Sequence, residues 1–173
     1  MAQDPTVIPS VSKDEWNELD VVYKWLISTR AAVLVMAFIS TALAGLFAWR
    51  NDSFILLPWL ALTLGSMLAH ACNNLFNDYT DYVRGVDQKN YYREVYGIQP
   101  PVHGLMTKSQ HLAYFAFTGF IVMVCGLYLV WQNDFDPIVW TLLFSGAFFL
   151  LFYTWPLKYI ALGEIAVLIV WVR

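Results

Sequence analysis

Apolar residues along this chain gather into runs close to bilayer length, separated by polar segments. Four of them lie at roughly Trp25 to Trp49, Phe54 to Phe76, His111 to Trp131 and Ile138 to Tyr153. Each approaches the ~20 residues that a helix needs to cross a hydrocarbon core. A fifth run, Ile160 to Val172, reaches the end of the chain. At 1.5 Å per residue it covers about 20 Å of a roughly 30 Å core, so the chain is expected to break off inside a helix. The pattern predicts an all-α, polytopic membrane helix bundle with about five transmembrane helices. Residues 1–20 form a polar N-terminal segment carrying Asp4, Asp14, Glu15, Glu18 and Asp20. That segment lacks the basic start and apolar core of a cleavable signal peptide.

Composition agrees with the pattern. Hydrophobic residues make up 59% of the chain and charged ones 13%, well outside the range of an ordinary soluble domain. Net charge is only −3, which gives no electrostatic case for nucleic acid. Cys72 and Cys125 lie in separate apolar runs without metal-ligand spacing, and read as packing residues.

Basic residues orient the bundle. Lys13, Lys24, Arg30, Arg84, Lys89, Arg93, Lys108 and Lys158 fall on one side if helices alternate, and Arg50 and Arg173 fall on the other. The positive-inside rule then places the N-terminus in the cytoplasm, with the 77–110 region on the same side. A prokaryotic cytoplasmic membrane is the expected location.

The chemistry is concentrated where the second run meets its polar loop, in the segment Asn77 to Asp87. With Asn74 as zero and about 100° per residue, His70 falls near −40°, Asn77 near −60°, Asp78 near +40° and Asp81 near −20°. Five polar side chains thus share one face of a mostly apolar helix, and that face must look into a bundle or a water-filled cavity. Gly85 is expected to end the helix, which would let Asp87 fold back. Oxygen donors from Asn74, Asn77, Asp78, Asp81 and Asp87 suit a hard cation such as Mg²⁺. Single residues also have bland readings, although the cluster as a whole is difficult to explain as capping. Asp87 alone could be a solvated cap, His70 a hydrogen-bonded interior histidine, and Arg30 a side chain snorkelling to the interface.

The spacing Asn77-Asp78-x-x-Asp81 followed by Gly85-Val86-Asp87 resembles the first aspartate motif of the UbiA-type intramembrane aromatic prenyltransferases. The segment Pro101 to Thr107, the segment Tyr153 to Tyr159 and Leu162-Gly163-Glu164 resemble further family segments. The position of Asp87 is nearer to the dihydroxynaphthoate branch than to the hydroxybenzoate branch. The resemblance implies that residues 21–173 are the N-terminal part of one transmembrane domain of nine helices. It implies Mg²⁺-dependent transfer of a polyprenyl group from an isoprenyl diphosphate to an aromatic acceptor such as a quinone precursor, with Asp78 and Asp81 catalytic. Arg30, Arg84 and Lys158 would contact phosphate oxygens, Tyr153 the substrate, and His70 would line the cavity.

The family's second aspartate-rich motif would come after a sixth helix, so the site is expected to need a C-terminal half or a partner membrane chain, without which this chain is expected to be inactive. Gln99 stands where the family usually has an arginine, and Ala31 where it usually has a proline. Other readings are a non-catalytic small membrane subunit and a cation- or proton-coupled transporter. A transporter would also bury Asp, Asn and His, but gives no reason for basic residues around the same rim. The Asp-Gly and Ala-Arg pattern of CDP-alcohol phosphotransferases is not found.

Overall fold

The computed structural model describes residues 11–85 and 98–154. Within them the helices are α1 (Lys13–Glu18), α2 (Val21–Ser28), α3 (Val35–Arg50), α4 (Leu56–Arg84), α5 (Lys108–Gln132) and α6 (Pro137–Thr154), with a 3-10 turn at Ala31–Leu34. Among the described residues, three segments are long and apolar enough to cross a membrane: Ala31–Arg50, Lys108–Gln132 and Pro137–Thr154. Their lipid-facing character follows from exposed Phe47, Phe117, Phe120, Ile138 and Phe144. The protein is a multi-pass helical membrane protein.

α4 organises the bundle, packing against α3, α5 and α6. Its 29 residues span about 44 Å, well beyond a roughly 30 Å core. It is nevertheless not among the three apolar spans, because polar residues from Thr63 to Asp81 dilute its hydrophobicity. Length lets it cross; its polar end must be enclosed by neighbours.

Small residues set the close approaches. Trp59 Nε1 donates to the Thr41 carbonyl at 2.8 Å, laying the indole over Gly45. A Cβ there would stand 2.8 Å from Trp59 Cδ1, so glycine is required by contact. Cys72 and Cys125 are free, buried thiols between α4 and α5, beside Gly119 and Gly65 respectively, as their packing role predicts.

The expected single helix from Trp25 to Trp49 is corrected by the structure: it is broken at Thr29 and Arg30. Ser28 and Thr29 hydroxyls donate back to the carbonyls of Lys24 and Trp25, at 2.7 and 2.9 Å, which loosens the helical ladder. Arg30 then takes a left-handed conformation, φ 56° and ψ 53°, and the chain restarts as the 3-10 turn. Other boundaries follow the sequence pattern closely. Gly85, at φ 68°, ends α4 as expected, and Thr107 caps α5 in a reciprocal box with Gln110.

Candidate functional site

Asp78 and Asp81 occupy the last two turns of α4 and are almost wholly buried, at 2% and 1% exposure. Burying carboxylates beside a membrane is costly, and here the structure supplies a cation across the bundle. Arg30 Nη2 meets Asp78 Oδ1 at 2.5 Å. The snorkelling alternative for Arg30 is therefore replaced by an ion pair with α4.

The helix break makes this pair possible. Trp25 Nε1 donates to Thr118 Oγ1 on α5 at 2.9 Å, fixing α2 against the bundle. The turn at Thr29 leaves a carbonyl outside the regular ladder, and Asn74 Nδ2 donates to it at 2.8 Å. An unmade bond at a buried carbonyl would be expensive, so Asn74 offsets part of the strain at Arg30. The break aims the Arg30 side chain at Asp78, one turn along from Asn74.

Neighbouring residues hold α4 in other directions. Thr154 Oγ1, fully buried at the end of α6, donates to Asn73 Oδ1 at 3.1 Å. His111, in the first turns of α5, donates from Nε2 to the Leu75 carbonyl at 2.8 Å and stacks on Tyr79, with ring centroids 6.5 Å apart. Lys108 Nζ lies 5.3 Å from the centre of the Tyr82 ring, a cation–π contact at the same end. Asn73, Thr29 and His111 were not singled out in the sequence. Their partners are distant in the chain and no local spacing marks them.

Of the residues expected from sequence, the structure brings Arg30, Asn74 and Asp78 together through the two bonds above, with Asn77 and Asp81 on adjoining positions of the same helix turns. Arg84 is exposed in the last turn of α4. His70 is half-buried and eleven positions before Asp81, about 16 Å along the axis, so it lines the helix well away from the aspartates. Tyr153 is half-buried near the end of α6. Asp87 and Lys158 lie outside the described residues. Gln99 is buried at 6% exposure in the segment before α5.

The donor chemistry fits a hard divalent cation. Asn77 and Asp78 precede Asp81 by four and three positions, so the three residues sit on neighbouring turns, with backbone positions about 4.5 to 6 Å apart along the axis. Asn74 is a further turn away, and its bond to Thr29 uses Nδ2, the amide nitrogen rather than the oxygen that would face a cation. Among the described residues no three His, Cys, Asp or Glu side chains form a ready-made metal cluster. Two carboxylates and an amide suit an ion that keeps waters and takes further oxygens from a phosphate.

The sequence profile of the UbiA prenyltransferase family matches residues 38–172. Over 152 residues the chain is 28% identical to the 1,4-dihydroxy-2-naphthoate octaprenyltransferase of Escherichia coli (strain K12), covering 84% of this chain and 48% of that protein. The chain thus spans about half the length of this curated relative. No solved structure gives a significant match. With the family profile covering everything from within α3 to the penultimate residue, the chain belongs to the UbiA prenyltransferase family.

Proposed function

We propose that this chain contributes to the transfer of a polyprenyl group from an isoprenyl diphosphate to an aromatic acceptor of the dihydroxynaphthoate type. The observation that carries this reading is the pair of buried aspartates, Asp78 and Asp81, on a membrane helix whose family membership is established above. The named relative supports the acceptor class. Basic residues on the loops support a cytoplasmic N-terminus and a cytoplasmic site.

In this reading Asn77, Asp78 and Asp81 hold Mg²⁺, with Asp87 as a further ligand. The bound ion would neutralise diphosphate charge and stabilise the leaving group. Arg30, Arg84 and Lys158 bind phosphate oxygens and orient the diphosphate at the rim. The prenyl tail lies along apolar walls with His70 and Tyr153 among the lining residues. Cleavage of the allylic C–O bond leaves a carbocation, which the apolar surroundings shield from water. The acceptor ring supplies an electron pair to that carbon, a C–C bond forms, and the ring proton departs to restore aromaticity.

The relative is about twice as long, so a second half belongs to the proposal, whether continuous with this chain or supplied by another membrane chain. A downstream reading frame with four more apolar helices and a second aspartate cluster favours the enzyme. A stop codon there favours a non-catalytic subunit.

The test is prenylation in membranes containing the chain and its continuation or partner. Farnesyl diphosphate and 1,4-dihydroxy-2-naphthoate should give a prenylated product by mass spectrometry with Mg²⁺, and none with EDTA. No product from this acceptor or from 4-hydroxybenzoate would overturn the reading.

A further inference from the structure

We propose that Arg30 is an exchangeable internal counter-ion: it occupies Asp78 in the empty protein, and loading of a divalent cation with a diphosphate separates the pair. Asp78 then turns to the cation and Arg30 to the phosphate oxygens. This rests on the reading of Asp78 and Asp81 as cation ligands.

Four features of the site lead there. The Asp78 carboxylate is buried at 2% exposure, whereas the Arg30 side chain is 40% exposed, so the arginine is the half with more room to move. The Arg30 backbone is pinned, because the bond from Asn74 to Thr29 holds the left-handed break beside it. Movement is therefore confined to the side chain, which pivots from a fixed base. Finally, only part of the guanidinium fork is used: Arg30 Nε is buried and has no hydrogen-bond partner among the described residues. A phosphate presents several oxygens and can engage the fork at two points, which one carboxylate oxygen does not.

The electrostatics favour exchange over simple addition. An empty site leaves a buried carboxylate in need of a positive charge, and Arg30 supplies it. A divalent cation arriving alone must displace that charge and leave Arg30 without its partner. A cation arriving with a diphosphate offers both groups a new partner. Cation and diphosphate should then bind with positive, reciprocal coupling.

The exchange is tested on purified protein in nanodiscs with Mn²⁺ as the probe, read by electron paramagnetic resonance. An adjacent opposite charge changes the affinity of a carboxylate for a proton by one to three powers of ten, so Arg30→Gln should tighten binding of Mn²⁺ alone by about tenfold. Asp81→Asn should abolish that binding in either background. In the unmutated protein, phenylglyoxal modification of Arg30, read by mass spectrometry, should quicken with Mn²⁺ alone and slow when methylenediphosphonate is added with it. If Arg30→Gln does not fold, this labelling decides the question by itself. Asp81-dependent Mn²⁺ binding with unchanged affinity in Arg30→Gln, or labelling indifferent to Mn²⁺, would overturn the exchange while leaving the cation site standing. Mn²⁺ binding that survives Asp81→Asn would remove the cation site, and the exchange with it.

Discussion

Asn74 on α4 donates its side-chain amide to the backbone carbonyl of Thr29, 45 positions earlier in the chain, at 2.8 Å. The bond ties the central helix to the break that presents Arg30 to Asp78. Local backbone geometry and the electrostatics of the site are coupled through one amide.

Asn74→Ala should therefore lower stability in detergent by about 1 kcal/mol, the scale of interhelical hydrogen bonds in membrane proteins. Asn74→Asp should cost at least as much, since a carboxylate cannot donate and would face a carbonyl oxygen. Thermal unfolding followed by tryptophan fluorescence checks both. Equal melting temperatures for all three proteins would show that the break needs no support from α4.

His111 performs a parallel task from α5, at the carbonyl of the next residue of α4. His111→Phe keeps the ring against Tyr79 but removes the donor to the Leu75 carbonyl. A loss of about 1 kcal/mol is expected, with part of it recovered in His111→Gln. Denaturation in mixed micelles gives the comparison, and a Phe variant as stable as the parent would deny the bond any weight.

Gly45 predicts a packing effect remote from the site. Gly45→Val forces carbon atoms into the Trp59 indole and disturbs its bond to Thr41. Overpacking of this kind costs about 1–3 kcal/mol. Gly126→Val should be milder, because its nearest neighbour is the flexible end of Leu143. Melting temperatures of the two variants should rank in that order.

The polar start of the chain carries a pH-dependent element. Ser12 caps α1, and Glu15 returns the bond by accepting from the Ser12 backbone N–H and hydroxyl, each at 2.8 Å. These bonds hold the Glu15 carboxyl below its ordinary value of 4.5. A lowered carboxyl favours the folded helix above the unfolded value and loses that contribution as pH falls through the folded one. Protection of α1 amides from hydrogen exchange should fall as pH drops below about 4.5. Glu15→Gln should flatten that dependence.

The apolar runs made most of the bundle readable, and Gly85 and Thr107 marked helix ends by their own chemistry. The face carrying Asn77, Asp78 and Asp81 was also readable, because a carboxylate on a membrane helix is difficult to explain otherwise. The break at Arg30 was not, since apolar residues continue on both sides of it and nothing in Ser28-Thr29-Arg30 forbids a helix. Its cause lies partly in Asn74, far along the chain. The bonds from Thr154 to Asn73 and from His111 to Leu75 span 81 and 36 positions, and only the packed structure reveals them.

Asp81 gives the most direct test of the central claim, that the end of α4 binds the cation needed for prenyl transfer. Asp81→Ala should leave membrane insertion intact and reduce Mg²⁺-dependent formation of prenylated product by at least about a hundredfold, the loss expected when a group stabilising developing charge is removed. Turnover in Asp81→Ala equal to that of the unmutated protein, with the same Mg²⁺ dependence, would contradict the account.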